Sequence, residues 1–170
     1  MDKKWKGFFI DELFDVVKGT TLTKANYIDG NIPFISASKF NNSISAFVGN
    51  DNKSKDKNFI SINNNGSVCE SFYHPYEALV CGDVSKLKLK DRELNKYIAL
   101  FLTTAISKQK DKYNYGYKSG KNRINRQLIY LPVNDKDEPD YDYMEAYIKQ
   151  MINSKTIDLL AHITKSNIIH

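Results

Sequence analysis

The sequence has only two cysteines among its 170 residues, Cys69 and Cys81, and no CxxC pair. Together with His74 they would supply three zinc ligands at irregular spacing and no fourth, so a zinc site is not expected. No apolar run approaches the roughly 20 residues of a membrane span. The first residues, MDKKWKGF, lack the apolar segment of a signal peptide. These absences predict a protein of the reducing cytoplasm with both thiols buried.

Catalytic motifs are equally scarce. The glycines before Lys121 resemble a phosphate-binding loop, but their spacing is wrong, and Asn122 replaces the hydroxyl residue that would hold magnesium. Glu145 and Lys149 follow Pro139-Asp140 as in some metal-dependent nucleases, yet they lie on a predicted helix rather than on adjacent strands. A nucleoside cofactor would need a glycine-rich loop after an early strand, and the sequence has none. We therefore predict no catalytic residues, no metal and no cofactor.

The composition is that of a soluble, globular chain, with 41% hydrophobic and 26% charged residues. A chain of this length can form one cored domain, or one domain with an appendage. The 25 basic and 20 acidic residues give a net charge of +5. This excess of positive charge mildly favours an anionic partner.

The stretch between residues 32 and 73 organises the chain. Two strand-like runs, Ile32–Ser36 and Phe59–Asn63, flank a polar segment rich in lysine. Asn65-Gly66 suits a tight hairpin turn, with Ser67–Tyr73 as the returning strand. Residues 49–57 contain no apolar side chain and predict a mobile loop. A stiff sheet below loops rich in Asn, Ser and Lys indicates a recognition surface rather than a catalytic pocket.

Other segments are assigned from their periodicity. The spacing of Leu13, Phe14 and Val17 predicts one helical turn. A strand at Ala78–Cys81 and another at Val84–Leu89, joined by a tight turn, predict a hairpin.

Two helices are expected beyond this hairpin. The first is an amphipathic helix over residues 94–106, capped by Asp91. A last strand, Leu128–Val133, precedes a second helix that begins at Asp142, where Glu145 imitates a capping box. We place the boundary between a domain of residues 1–138 and a helix of residues 139–170.

Two cation-rich segments carry the candidate binding residues. Lysine and arginine neutralise phosphates, while asparagine and arginine can form paired hydrogen bonds with base edges. From composition alone, solvated loops and nucleic-acid binding are equally plausible. The candidates are Lys39, Asn41, Asn42, Lys118, Lys121, Asn122, Arg123 and Arg126.

Several stretches, in order, resemble the target recognition domain of specificity subunits from type I restriction–modification systems and related fused restriction–methylation enzymes. They are IPFISASKFNNSI, FISINNNGSVCESFYH, NKYIALFLTTAISKQKDKYNYGYK, IYLPV and EPDYDYMEAYIKQM. The resemblance spans most of the chain from Trp5 to Met151. It departs at Cys69, where the family usually has a small residue such as glycine.

The resemblance implies an α+β fold: a twisted mixed or antiparallel sheet with a core helix, followed by a long C-terminal helix for dimerisation or spacing. It implies binding of double-stranded DNA on behalf of a separate adenine methyltransferase subunit and, in some systems, a restriction subunit, with no catalysis by the domain itself. Because complete specificity subunits usually contain two such units, the chain would be a half-subunit or a fragment.

Two alternatives remain open. The chain could be the C-terminal recognition domain of a fused type II restriction–methyltransferase, or an interaction module that binds no DNA.

The C-terminal helix is expected to form a homodimer, with packing of its apolar face on its own domain as the alternative. An apolar stripe along one helical face needs a partner, and in an antiparallel pair Lys155 of one chain could meet Asp158 of the other. A two-fold axis between the chains would make the DNA half-sites inverted repeats. The expected dimerisation residues are Met144, Ile148, Met151, Ile152, Lys155, Asp158 and Leu159.

Overall fold

The computed structural model describes residues 3–65, 69–110 and 124–167. Nine strands and three α-helices are assigned within these ranges. They are β1 (Trp5–Phe9), α1 (Ile10–Leu13), β2 (Phe14–Lys18), β3 (Ile32–Ile35), β4 (Ile44–Val48), β5 (Phe59–Asn63), β6 (Ser71–His74), β7 (Leu79–Val80), β8 (Val84–Leu89), α2 (Lys96–Ser107), β9 (Leu128–Pro132) and α3 (Tyr141–Asn167). Short 3₁₀ turns lie at Lys24–Asn26 and Asn41–Ser43.

The strands form three small sheets. The largest has the antiparallel order β2-β8-β5-β6, and a second has the order β4-β3-β7, in which β3 and β7 are parallel. The third joins β1 to β9, antiparallel, and so ties the beginning of the chain to the segment before α3. This arrangement confirms the predicted α+β class with mixed sheets and a long C-terminal helix.

The main core lies between α2 and the four-stranded sheet. Ile98, Leu102 and Ile106 recur at helical spacing on one side of α2 and are nearly or fully buried. They share one apolar cluster with Ile60 and Ile62 of β5. Since a buried Leu or Ile side chain stabilises by about 1.5–3 kcal/mol, this interface holds the sheet in position for the loops at its edge.

The two expectations for short segments were wrong. Phe14 and Val17 lie in strand β2, which pairs with β8, and only Ile10–Leu13 is helical. The strands around Gly82 do not form a hairpin, because β7 pairs with β3 while β8 pairs with β2 and β5. The turn at Gly82 therefore passes the chain from one sheet to another.

Residues 49–57 are held by the fold rather than mobile as expected. Asp56 forms a bridge with Ala78, and Ser54 is 1% exposed. The ammonium of Lys86, itself buried, donates to the Ser54 carbonyl at 3.1 Å and to Asp56 at 3.0 Å. Burial tends to raise the pKa of the Asp56 carboxyl, but hydrogen bonds from Lys86, Lys88 and the local backbone lower it overall.

Both helix caps differ from the predicted ones. The side chain of Asn95, not of Asp91, caps α2 by accepting hydrogen bonds from the backbone N–H groups of Tyr97 and Ile98, each at 3.0 Å. At α3, Asp140 accepts from the amide of Tyr143 at 2.9 Å, so the cap lies two residues before Asp142. Each cap satisfies N–H groups that a helix leaves unpaired at its start.

The first turns of α3 belong to the domain core. Tyr141 is 8% exposed and Met144 is fully buried, and Ile148 packs against the same cluster. Met144 therefore contacts its own domain, which corrects the expectation that it contacts a second helix. The predicted boundary before residue 139 stays a prediction. None of the helices in the described ranges is long and apolar enough to cross a membrane.

Candidate nucleic-acid interface

The loop between β3 and β4, residues 36–43, has an unusual backbone. Asn41, Asn42 and Ser43 have φ values of 50°, 50° and 60°, in the left-handed region. Non-glycine residues rarely adopt this conformation, and asparagine tolerates it best. The sequence at this point, with two consecutive asparagines, therefore suits the tight left-handed path that the β3–β4 loop takes.

Hydrogen bonds fix this loop to the sheet. The buried hydroxyl of Ser43 donates to the carbonyl of Ser38 at 2.6 Å, and the amide of Asn63 donates to the same carbonyl at 2.9 Å. The backbone N–H of Ser36 donates to the Ser43 carbonyl at 2.9 Å. Because Asn63 is the last residue of β5 and has no exposed surface, the loop is fastened to the end of an inner strand of the largest sheet.

The loop tip presents one cation, one aromatic ring and two amides to solvent. Lys39, Phe40, Asn41 and Asn42 are all exposed, and Phe40 is 66% exposed. The Lys39 ammonium lies 5.2 Å from the centre of the Phe40 ring. Within the described part of the chain, no hydrogen bond engages either asparagine side chain. These groups have the donors and acceptors that contact phosphates and base edges.

Two further turns border the β3–β4 loop. After β5, the N–H of Asn64 donates to the Asp83 carbonyl at 2.8 Å, and the Asn65 amide donates to the Asp83 carboxylate at 2.6 Å. These contacts join the turn after β5 to the turn before β8. The tight turn expected at Asn65-Gly66 extends into residues 66–68, which lie outside the described residues.

Cys69, on the far side of that turn, also has a left-handed φ of 62° and is fully buried. Glycine adopts this conformation without steric cost, whereas a cysteine there is strained. Burial raises the pKa of the Cys69 thiol to about 12, so the group is neutral and unsuited to nucleophilic chemistry. Its sulfur lies 3.7 Å from the side-chain oxygen of Gln127.

Arg126 is exposed and directly precedes Gln127. Arg126 is connected to the β3–β4 loop through a chain of three contacts. These contacts join Gln127 to Cys69, Cys69 to Asn63, and Asn63 to Ser38. Of the residues predicted to bind DNA, the structure therefore brings Lys39, Asn41 and Asn42 together on one loop and connects Arg126 to the same edge. Lys118, Lys121, Asn122 and Arg123 lie outside the described residues.

Phe40 was not among the residues predicted from the sequence to bind DNA. Its signal was an aromatic residue between Lys39 and Asn41 in an otherwise polar segment, but nothing in the local pattern distinguishes an exposed aromatic from a buried one.

His74 forms a separate buried polar cluster. Its ring nitrogens lie 2.8 Å from the Ser61 hydroxyl and 3.1 Å from the Tyr76 hydroxyl. Burial lowers the pKa of His74 to about 4, so the imidazole is neutral at pH 7. The cluster has no access to solvent at His74 or Ser61, which fits a role in packing. Among the described residues, no three His, Cys, Asp or Glu side chains are grouped as a metal site would require.

An apolar groove lies where α2 meets α3. It encloses about 360 Å³, and its lining includes Trp5, Phe101, Tyr147 and Met151. Trp5 and Met151 are each close to half exposed. From Met151 onward α3 leaves the domain and carries an exposed apolar stripe with Ile152, Leu159 and Ile163.

The expected polar pair on α3 forms within one helix. Lys155 and Asp158 lie 3.5 Å apart, and their side chains are 79% and 64% exposed. Such an exposed pair stabilises a helix only slightly, so both groups are available to other partners.

Comparison with known proteins identifies the family. The model for the "Type I restriction modification DNA specificity domain" matches residues 2–165. The specificity subunit S.BcgI of a type II restriction enzyme from Heyndrickxia coagulans is 46% identical over 152 residues, which are 89% of this chain and 45% of that protein. The chain thus spans about half the length of this curated relative.

Solved structures agree in fold. The S subunit of a type I restriction–modification system from M. genitalium superposes with a TM-score of 0.70 at 19% identity, covering 98% of this chain and 43% of that one. The HsdS subunit from Thermoanaerobacter tengcongensis gives a TM-score of 0.60 at 15% identity, covering 88% and 38%. With nearly its whole length matched by one family model, the chain belongs to the family of type I restriction–modification DNA specificity domains.

Proposed function

We propose that the chain binds double-stranded DNA sequence-specifically and directs a separate adenine methyltransferase, and in some systems a nuclease, to the site. The observation that carries this proposal is the β3–β4 loop, which is fixed to the sheet by buried Ser43 and Asn63 and presents unpaired polar groups outward. Preorganised groups lose little conformational entropy on binding, which favours selective contacts.

The partner is proposed to be the methyltransferase of a type I or related type II restriction–modification system; the 46% identical relative is the specificity subunit of a type II restriction enzyme. The recognition domain itself supplies no chemistry in this proposal. His74 is buried and neutral and the Cys69 thiol is held protonated, so neither group supports catalysis. Methyl transfer or strand cleavage by the purified chain alone, supplied with metal ions and methyl donor, would overturn this part.

Duplex binding is tested by titrating labelled DNA with the purified chain at several salt concentrations. If about six phosphates are contacted, the logarithm of affinity falls with the logarithm of salt at a slope near −5. Lys39→Ala should reduce the magnitude of this slope by about 1, because a lost phosphate contact releases one counterion fewer.

Lys136 provides a matched control. It is exposed and follows β9, at the opposite end of that strand from Gln127. Lys136→Ala removes the same charge and should leave the slope unchanged. Equal effects of the two variants, or binding that does not depend on salt, would contradict the proposed interface.

We also propose that α3 mediates a homodimer. The exposed side chains of Met151, Ile152, Leu159 and Ile163 leave apolar surface in water on a face that also carries Lys155 and Asp158, and Met151 also lines the apolar groove beside Tyr147. Burying such a stripe against a second helix is the usual source of stability for paired helices. Dimerisation would relate two recognition surfaces by a dyad and require half-sites in inverted order.

A further inference from the structure

We infer that the β3–β4 loop reads one A·T base pair in the major groove, with Phe40 on the C5 methyl group of thymine and an asparagine amide on adenine. The inference rests on the proposed function. It adds which base pair the loop selects and assigns Phe40 to that selection.

Phe40 is held at a fixed position in water. Its backbone N–H donates to the Ser38 hydroxyl at 3.1 Å, and its carbonyl accepts from the N–H of Ser43 at 2.8 Å. The ring is nevertheless 66% exposed and is not part of any apolar cluster of the described core. An aromatic side chain that the fold positions but does not bury is available for an apolar group on a partner. Thymine carries the only methyl group among the bases in the major groove.

The neighbouring amides match the other half of the same base pair. A side-chain amide offers one acceptor and two donors, and adenine presents N7 as an acceptor and N6 as a donor in the major groove. Asn41 and Asn42 are consecutive, left-handed and exposed. Guanine presents two acceptors there, which suits arginine or lysine better than asparagine. The amide therefore favours adenine, and the ring favours its paired thymine.

The position of Lys39 argues for a contact with the methyl group rather than insertion between bases. A wedge side chain needs both of its faces free, because a base lies on either side of it. The Lys39 ammonium lies over the Phe40 ring, 5.2 Å from its centre, and so occupies one face. The other face and the edge remain for a methyl group, while the ammonium can reach a phosphate of the same strand.

The test is a base-analogue scan on a site selected from random duplexes by the full chain. Each thymine is replaced in turn by uracil, which lacks the methyl group, and each adenine by 7-deazaadenine, which lacks the N7 acceptor. For the wild-type chain, one uracil should weaken binding about fourfold, as expected for one buried methyl group. 7-Deazaadenine in the same base pair should weaken it at least about fivefold.

The variants assign these effects to residues. In Phe40→Ala, uracil at that position should cause no further loss, whereas 7-deazaadenine should still do so. In Asn41→Ala or Asn42→Ala, 7-deazaadenine at that base pair should cause no further loss, whereas uracil should still weaken binding. Lys39→Ala is the control, because it should weaken binding to every duplex while both analogue effects persist.

Three results would overturn the inference. The first is a uracil effect that persists in Phe40→Ala, and the second is no uracil effect at any position in the wild-type chain. The third is a rise in 2-aminopurine fluorescence that depends on Phe40, which would indicate a wedge between bases. All three leave duplex binding intact. A chain that binds no duplex at all would overturn the proposed function together with this inference.

Discussion

Cys69 occupies a backbone position that suits glycine. Its φ of 62° costs an L-residue about 1–2 kcal/mol. We predict that Cys69→Gly is more stable than Cys69→Ala by about 1 kcal/mol, since both lose the thiol but only glycine relieves the strain. Chemical denaturation of the two variants measures the difference, and the alanine variant is the control for the loss of packing. Equal stabilities, or a more stable alanine variant, would contradict the left-handed assignment.

His74 makes stability depend on pH. The folded chain keeps the imidazole neutral down to a pKa of about 4, whereas the unfolded chain takes up a proton near the ordinary value of 6.5. The stability contributed by His74 is therefore present above about pH 6.5 and is lost as the pH falls towards about 4. The expected loss is of the order of 3 kcal/mol over this window.

His74→Gln separates this effect from that of the carboxylates. The variant cannot titrate near pH 6, so its denaturation midpoint should change less between pH 7 and pH 4.5 than that of the wild-type chain. The same pH dependence in both proteins would show that His74 is not responsible for it.

At the scale of single elements, Asn95 joins the start of α2 to α3. Its side-chain oxygen caps α2, and its amide donates to the carboxylate of Glu145 at 2.6 Å. Asn95→Ala should cost about 1–2 kcal/mol for the cap alone. Asn95→Asp retains a good cap but places a carboxylate against Glu145, so it should also destabilise. Adding Glu145→Gln should recover most of the Asn95→Asp loss, as measured by a thermal double-mutant cycle.

If Asn95 only capped α2 and its contact with Glu145 contributed nothing, the stabilities of the variants would differ from this expectation. In that case Asn95→Asp would be as stable as the wild-type chain, and Glu145→Gln would have the same effect in both backgrounds.

The elements that the sequence predicted well have a strong local signal. The amphipathic helix α2 follows its periodic pattern, because burial on one face enforces the spacing. Phe59–Asn63 was recognised as a short run of strand-forming residues, and all five of its residues are buried. The segment around Phe14 is too short for its period to distinguish a helical turn from a strand. Whether two successive strands pair with each other depends on distant residues, which is why the hairpin expected around Gly82 was wrong.

The candidate interface was predictable in part. Lys39, Asn41 and Asn42 were identified by residue type, but their arrangement on one fixed loop depends on hydrogen bonds to Asn63, which is more than 20 residues away. The role assigned to Phe40 needs the exposure of its ring, and no sequence pattern encodes that exposure.

At the scale of the whole molecule, we propose that the exposed part of α3 decides the oligomeric state. Leu159 lies on the apolar stripe, whereas Ile157, exposed to a similar extent, lies on the opposite face. We predict that Leu159→Asp makes the protein monomeric at tens of micromolar, whereas Ile157→Asp leaves it dimeric. Light scattering checks both variants. A monomeric wild-type chain, or equal effects of the two substitutions, would exclude this dimer.

The charged pair on α3 gives a second test of the same dimer. Lys155→Glu should weaken dimers by opposing the partner's Asp158, and adding Asp158→Lys should partly restore them. The helix has 27 residues and a length of about 40 Å. Half-sites should then be centred about one turn of duplex apart, roughly 34–36 Å, and shortening α3 by two turns should change the preferred gap.

We propose above all that this chain selects the DNA sequence on which a methyltransferase acts. Mapping methylated adenines across the host chromosome, with the gene present, deleted and restored, tests it most directly. We predict that deletion removes one methylation motif, that the wild-type gene restores it, and that a gene carrying Asn41→Ala and Asn42→Ala restores a relaxed one. A methylation pattern that is unchanged by the deletion would contradict the claim.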